Sequence, residues 1–258
     1  MSWASKRQLV IVTILIMALM VIGGVLSLPY FLKAPTCADG VQNGTETGID
    51  CGGSCEKFCP FEVNELKLLW ARPFKVADGA YDVLAYIDNQ NANAGIKKIL
   101  YRFRLYDERN LFITERVGRT YVTANGPFAV FEGSIRTGSL VPKRVFFEFV
   151  EVPVWVKMPA KANSFSLGKS VSRLESETTR PRLLVSVSNN SLYDASDIET
   201  TAILYDEKEN AFAVSRTVVD ALGKGESKDL VFTWLLPFEK TPTRIEILPR
   251  TNVFNINF

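Results

Sequence analysis

The stretch Ile99-Leu-Tyr-Arg-Phe-Arg-Leu-Tyr-Asp107 decides the fold of this 258-residue chain. Its apolar side chains recur at every second position, and this period of two predicts a strand with one buried face. Val83–Ile87 and Val145–Phe149 alternate in the same way. No segment beyond the apolar run of residues 9–28 has a sustained helical period. Several short strands separated by Asn, Gly and Pro predict an antiparallel β-sandwich.

The sequence repeats itself after about 100 residues. The recurring pairs are Leu105-Tyr-Asp-Glu108 with Leu204-Tyr-Asp-Glu207, Pro142-Lys-Arg-Val145 with Pro242-Thr-Arg-Ile245, Asn89 with Asn189, and Arg116 with Arg216. A near-constant offset indicates duplication of one domain-sized unit. We therefore predict two tandem sandwiches, at residues 61–158 and 183–258. Residues 159–182 hold a polar linker and the region of a first strand.

The segment Phe103-Arg-Leu105-Tyr106-Asp107 resembles the signature of the FxLYD domain, an immunoglobulin-like sandwich of bacterial envelope proteins. The second unit departs from the signature at Ala202, which stands where the first unit has Phe103. The resemblance implies an immunoglobulin-like fold and a role in the cell envelope, and it implies no reaction. We interpret the tyrosine and aspartate as residues that close a strand into a turn.

Residues 9–28 form an uncharged, almost wholly apolar run. As a helix it spans about 30 Å, the thickness of the hydrocarbon core of a bilayer. We predict a stub at 1–8 and a transmembrane helix at 9–29. Lys6 and Arg7 precede the run and Lys33 follows it, so the positive-inside bias places the N-terminus in the cytoplasm and the remainder outside. The alternative is a cleaved signal peptide, but the run is long and lacks a small-x-small cleavage site.

All four cysteines lie within residues 37–59, at Cys37, Cys51, Cys55 and Cys59. In an oxidising exterior, clustered cysteines in even number indicate disulfides, here two. The alternative is a zinc site with four cysteine ligands, although such sites usually show two C-x2-C pairs and occur in reducing compartments. Three disulfide pairings are possible, and the spacing does not choose among them.

Oxygen-bearing side chains alternate with glycines between the first two cysteines; they are Asp39, Asn43, Glu46 and Asp50. Ca²⁺ prefers such oxygen ligands, so this loop is a candidate calcium site. The alternative is that the Asp, Asn and Gly residues form turns. The pattern C-x-D-G-x-x-N-G-x-E-x-G-x-D-C-G-G-x-C resembles a short cysteine-rich module of secreted and surface proteins. That resemblance implies an extracellular setting and a stiff spacer.

The chain has 30 basic and 28 acidic residues and no histidine. With Lys6 and Arg7 in the cytoplasm, the exterior is balanced, which argues against a nucleic-acid partner. The missing histidine removes Ser-His-Asp and Cys-His catalysis and the commonest zinc ligand. It also removes the commonest general base.

We therefore expect a non-catalytic extracytoplasmic protein without an organic cofactor, anchored in the membrane by residues 9–28. It serves in interaction or adhesion, or as an accessory subunit of a cell-envelope assembly, with a protein or envelope component as partner. One alternative is a calcium-dependent adhesin that uses the 39–50 loop. Another is a glycan hydrolase, which needs two acids roughly 5–9.5 Å apart.

Overall fold

The computed structural model describes residues 3–31, 36–175 and 178–256. They form two compact units, residues 1–55 and 56–258. The first unit contains helix α1, Trp3–Phe31, and most of the cysteine-rich loop. Arg7–Ser27 within α1 is long and apolar enough to cross a membrane. Lys33, which entered the prediction of orientation, lies outside the described residues.

The first sandwich consists of two antiparallel sheets, ordered β1-β2-β5 and β4-β3-β6. Its strands are β1 Lys67–Ala77, β2 Ala80–Asn89, β3 Ala94–Tyr106, β4 Phe112–Val122, β5 Gly126–Arg136, β6 Arg144–Phe149 and the short β7 Val156–Lys157, which pairs with the start of β3. Single-turn helices occupy Pro60–Glu62, Ala160–Ser164 and Val253–Asn255.

The second sandwich has the same order of strands, β8-β9-β12 and β11-β10-β13. Its strands are β8 Leu167–Glu175, β9 Arg182–Asn189, β10 Ala195–Tyr205, β11 Ala211–Leu222, β12 Ser227–Thr233 and β13 Arg244–Arg250. The first of these strands lies inside the segment 159–182. The chain is therefore mainly β with one N-terminal apolar helix, as the alternating apolar residues predict.

Each sandwich buries the apolar side chains that alternate along its strands. In β3 these are Ile99, Tyr101, Phe103 and Leu105, and Trp155 joins the same core. In β9 they are Leu183, Val185 and Val187, which pack with Phe232 of β12. Because the large residues of each sandwich meet between its two sheets, each has its own hydrophobic core.

The repeated asparagine is a fully buried bridge between two turns. Asn89 Nδ2 donates to the carbonyl oxygens of Ala94 and Thr123, at 2.9 and 2.8 Å. Asn189 makes the matching pair of bonds in the second sandwich. Buried carbonyls need such partners, which explains why the duplicated units share an asparagine here.

The repeated aspartate closes the hairpin that follows the central strand. Asp107 and Asp206 each accept hydrogen bonds from the N–H groups two and four residues later, at 2.8–3.0 Å. A side chain that satisfies its own turn in this way favours the hairpin over continued strand. The interpretation of this residue as a turn former is confirmed in both units.

A β-bulge explains why the repeat offset changes along the unit. The register of β3 with β4 shifts by one residue between Ile96 and Ile99. β10 pairs with β11 without a shift at the matching position. The first unit therefore carries one extra residue there, which reduces the offset from 100 to 99.

The predicted equivalence of Arg116 and Arg216 is wrong because of this bulge. Arg116 lies opposite Phe103, whereas the residue opposite the matching Ala202 is Ser215. The arginine at 216 lies one position further along its strand and so points to the other face of the sheet. The two arginines therefore have different surroundings.

The two sandwiches pack through the outer faces of β1-β2-β5 and β11-β10-β13. Tyr86 and Tyr205 both donate to the carboxylate of Glu246, at 2.7 and 2.9 Å. Arg250 donates to Thr120 at 2.8 Å. The apolar cluster at this junction contains Phe74, Leu84 and Ala129 of the first sandwich with Ile203, Tyr205, Ala211 and Val214 of the second.

Candidate interaction surface

The four cysteines are all disulfide-bonded, which confirms the predicted pair of disulfides. Cys37 is joined to Cys55, and Cys51 and Cys59 are oxidised as well. The zinc alternative is wrong, because no thiolate remains to bind the metal. Within the described ranges, one group of His, Cys, Asp or Glu ligand atoms comes within 4.8 Å, namely Cys37, Glu46 and Cys55, and both of its sulfurs belong to the disulfide.

The aspartates of the 39–50 loop bind backbone N–H groups. Asp50 accepts from the N–H groups of Asp39 and Gly40, at 2.9–3.1 Å. Asp39 accepts from the side chain of Asn43 at 2.9 Å and from the N–H of Val41 at 3.0 Å. These bonds, chiefly the one from Asn43, lower the pKa of Asp39. Both carboxylates therefore form turns, as the second interpretation of this loop predicts.

Glu46 and Asn43 take part in the same loop. Glu46 Oε2 accepts from the N–H of Asn43 at 3.2 Å, while its Oε1 lies 3.4 Å from the Sγ of Cys55. The backbone of Gly53 packs directly against this loop, since a Cβ at this position would lie 1.7 Å from the carbonyl oxygen of Thr45. Calcium binding by this loop stays a prediction, and titration calorimetry of the full chain with Ca²⁺ tests it.

The outer faces of the duplicated sheets have diverged, beginning with β1-β2-β5 and its duplicate β8-β9-β12. The first face is buried in the junction and carries aromatic side chains. The ladder registers align these with smaller residues, giving the pairs Trp70 with Ser170, Tyr86 with Ser186, and Phe131 with Val231. The outer face of β8-β9-β12 thus carries a hydroxyl group in place of two of the rings and a valine in place of the third.

The outer face of β4-β3-β6 has diverged from its buried duplicate β11-β10-β13 in two directions. Three aliphatic residues of the junction are replaced by charged ones, in the pairs Ile203 with Arg104, Val214 with Glu115, and Leu248 with Glu148. Arg104 pairs with Glu148 at 2.9 Å, and Arg102 lies 3.5 Å from the same carboxylate. The centre of this face is therefore charged and internally paired.

One end of the same face gains aromatic side chains. Phe112 and Phe146 stand where the second unit has Ala211 and Glu246. Tyr106 makes edge contacts with both, with ring centroids 5.8 and 5.3 Å apart. We name these three residues the aromatic patch.

The aromatic patch is accessible to solvent. Phe112 is 54% exposed and Phe146 is 60% exposed, and the neighbouring Leu111 is 62% exposed. The patch lies where β3 ends, opposite the end at which Asn64 hydrogen-bonds to Asn91 and the chain enters the sandwich. An apolar cluster that is exposed at a sheet end is typical of a contact surface.

A groove of about 360 Å³ opens at the junction between β1, β11 and the loop that follows β12. We name it the junction groove; its walls include Phe74, Asp82, Phe212, Trp234, Leu235 and Phe238. Trp234 packs edge-on against Phe238 at 5.1 Å and donates its indole N–H to the carbonyl oxygen of Val214. The volume of the groove and its aromatic walls are typical of a site that binds part of a ligand.

Two basic and two acidic side chains line the groove, namely Lys75, Lys240, Asp82 and Glu239. Lys75 is paired with Asp78 at 2.8 Å, and Lys240 is paired with Asp206. Asp82 lies half-buried in β2 and accepts the N–H of Ser134 at 2.8 Å through Oδ1. Burial raises the pKa of Asp82. A half-buried carboxylate in an aromatic groove is a feature of binding sites.

The sequence predicted neither surface, although it contained a signal for one of them. Val145-Phe-Phe-Glu-Phe149 places Phe146 at a position where the alternation predicts a polar residue. The matching position of the second unit is Glu246. A comparison of outward positions between the two units would therefore have identified the patch.

No model of a known protein family matches this chain, and no curated protein is similar to it in sequence. Among solved structures, it is similar to red sea bream transglutaminase, with 11% identity and a TM-score of 0.24. The match covers 74% of this chain and 30% of the transglutaminase chain. A likeness this weak carries no argument about fold or activity.

Proposed function

We propose that this chain is a membrane-anchored, extracytoplasmic and non-catalytic interaction protein. In this proposal, a protein partner in the cell envelope binds the aromatic patch of the first sandwich. The role is adhesion or that of an accessory subunit of an envelope assembly. The observation that carries the proposal is the divergence of β4-β3-β6, which gained exposed rings where its duplicate has Ala211 and Glu246.

Energetics support a binding role for the patch. Covering the exposed parts of Phe112 and Phe146 removes roughly 200 Å² from water, given that a phenylalanine buries roughly 150–250 Å². At about 25 cal/mol per Å² this contributes about 5 kcal/mol before the costs of association. Because a few aromatic residues carry most of the energy in many interfaces, a patch of this size is sufficient to anchor one.

The apolar helix supports the membrane anchor. Arg7–Ser27 has the length and composition of a span, and the disulfides favour an oxidising compartment for the loop behind it. N-terminal analysis of the mature protein separates an anchor from a signal sequence. We expect the protein to fractionate with membranes and to retain Trp3 at its N-terminal end. A soluble product that begins after residue 27 would show instead that the helix is a cleaved signal sequence and that the protein is secreted.

Photo-crosslinking in cells tests the patch. A photoreactive amino acid replaces Phe146 in one variant and Ser186 in a control, which lies on the hydroxyl-rich outer face of β9. We expect a discrete crosslinked partner from position 146 and none from position 186. Equal yields at both positions, or no product at position 146, would overturn the proposal.

A second variant removes the patch while preserving the fold. Phe146→Glu introduces the residue of the second unit, where Arg244 pairs with Glu246 at 3.2 Å. Arg144 stands at the matching position of the first unit, so the new carboxylate has a partner ready. We expect an unchanged unfolding midpoint and a loss of the partner from a crosslinker placed at Leu111.

A further inference from the structure

We propose that the end of the first sandwich at which the chain enters rests on the lipid surface of the membrane that holds α1. In this proposal Phe61, Val152 and Val154 insert among the lipid headgroups, and we name these three residues the entry patch. The inference rests on the membrane anchor of the proposed function and adds a second contact with the membrane. It assigns lipid, and not the protein partner, to this end of the sandwich.

The entry patch consists of apolar side chains that are exposed to solvent. Val152 is 86% exposed, Phe61 is 74% exposed and Val154 is 56% exposed. Among the large apolar residues of the described part of the chain, Val152 has the highest exposed fraction. Valine and phenylalanine are ordinarily buried, and a group of them on the surface indicates contact with another molecule or a membrane.

Backbone pairing brings the members of the entry patch to one place. The N–H of Phe58 donates to the carbonyl oxygen of Trp155 at 3.0 Å, and the residues next to these two form an antiparallel bridge. Antiparallel partners run in opposite directions, so residues 59–61 lie beside residues 152–154. The three side chains therefore share one end of the sandwich.

Both segments of the entry patch are fixed to the sandwich and contain proline. Trp155 is buried in the first core, and Phe58 packs against the same core. Pro60 and Pro153 stand within the two segments and have no backbone N–H. Because an unpaired N–H is costly in a lipid environment, prolines at these positions favour contact with lipid.

The length of the chain selects the bilayer as the occupant. The Cα atoms of Cys37 and Cys55 are 5.6 Å apart, so their disulfide shortens the covalent path from α1 to Phe61. Along this path the chain takes six residues from Phe31 to Cys37 and six from Cys55 to Phe61. Each stretch spans at most about 20 Å when fully extended, so Phe61 stays within about 50 Å of the end of α1.

A tethered group meets its target at a high effective concentration. A weak apolar contact is therefore sufficient to hold the entry patch on the lipid, whereas a soluble partner has no such advantage. The contact also determines how the aromatic patch is presented. Because the aromatic patch lies at the opposite end of the sandwich, where β3 ends, it points away from the bilayer and toward proteins of the envelope.

Quenching by brominated lipid tests the proposal on the full chain in nanodiscs that hold one copy each. The four native cysteines are disulfide-bonded, so one added cysteine takes a nitrobenzoxadiazole label. Val152→Cys carries the label in the entry patch. Leu111→Cys is the matched control, because Leu111 is also exposed and lies at the opposite end.

Apolar side chains at a membrane interface lie roughly 5–10 Å deep, within reach of bromine on the acyl chains, so we expect at least about a twofold loss of emission at position 152. The label at position 111 should keep its emission. Equal quenching at the two positions, or none at position 152, would overturn the proposal. A blue shift at position 152 without quenching would mean that protein covers this residue, and it would contradict the proposal as well.

The double variant Phe61→Asp with Val154→Asp removes the two other members of the entry patch. Both positions are exposed, so the fold should persist, and a circular dichroism spectrum verifies it. We expect quenching at position 152 to fall to the level of position 111, and unchanged quenching would count against the entry patch. A chain that does not enter the disc would refute the anchor and this contact together, whereas an unquenched label in an assembled disc refutes the contact alone.

Discussion

Asn189→Ala tests the physical reasoning about the repeated unit most directly. The side chain is fully buried and joins the turn after β9 to the end of β11. Its Nδ2 donates to the carbonyl oxygens of Tyr193 and Leu222 at 2.7 and 3.0 Å. Its Oδ1 accepts from the N–H and the hydroxyl of Ser191, at 3.1 and 2.7 Å. Alanine removes all four bonds and leaves a small cavity.

The expected loss of stability follows from the groups left without these bonds. The carbonyl of Tyr193 retains the hydroxyl of Ser191 at 2.9 Å, so it is not orphaned. The carbonyl of Leu222 and the N–H of Ser191 each lose a bond in a buried site. An unsatisfied buried group costs about 1–3 kcal/mol. We therefore expect the free energy of unfolding to fall by about 3 kcal/mol.

Urea titration of the full chain in micelles measures this change. Trp234 reports the second sandwich by fluorescence, because its indole contacts Phe238 and Val214. With a denaturant slope of about 2 kcal/mol per M, the midpoint moves by about 1.5 M. Asn190→Ala is the matched control, since Asn190 is exposed, and its effect should stay within about 0.5 kcal/mol. A loss below about 1 kcal/mol in Asn189→Ala would refute the reasoning.

Three further outcomes are expected. Asn89→Ala should destabilise the first sandwich by a similar amount, about 3 kcal/mol, as fluorescence of the buried Trp155 reports, because the equivalent bonds are lost. Arg250→Met should cost about 2 kcal/mol in urea unfolding and couple to Glu199→Gln in a double-mutant cycle, because Arg250 donates twice to Glu199 within 3.0 Å. The Lys240 ammonium and backbone N–H groups lower the pKa of Asp206 to about 2. Its stabilising contribution is therefore present above pH 4 and lost as the pH falls toward 2, whereas Asp206→Asn should lack this dependence in acid-unfolding curves.

The alternation of apolar residues was sufficient to predict the strands and the sandwich class. Period two identifies which face of a strand is buried in its own sandwich, as in the case of Phe103 and Leu183, both fully buried. It does not identify which outer faces are covered by a second domain. Leu84 and Ile203 occupy outward positions of their sandwiches and are nevertheless fully buried in the junction. That burial depends on how two finished domains meet, which local periodicity does not encode.

Register was the second property beyond the reach of the sequence. A single extra residue between Ile96 and Ile99 lowers the offset between the two units from 100 to 99. A second length difference later in the unit restores the offset to 100, so the spacing of the motifs alone suggests one constant repeat. The arginines at 116 and 216 coincide in spacing and differ in surroundings for this reason. Asn89 and Asn189 are equivalent because they lie before the bulge. Each side chain makes four hydrogen bonds in its own unit, so the two occupy the same structural position.

The equivalent sheets of the two units differ in what their outer faces contact. Two outer faces are buried against each other, and Trp70, Tyr86 and Phe131 provide the rings that cover the second sandwich. The outer face of β8-β9-β12 lacks those rings and carries Ser170, Ser186 and Val231 instead, as expected for a surface that meets water.

The face of β4-β3-β6 differs from both, since it pairs its central charges and yet exposes Phe112 and Phe146. Because Arg102 and Arg104 are already paired with Glu115 and Glu148, a partner of this face would gain its affinity from the aromatic patch and not from these charges.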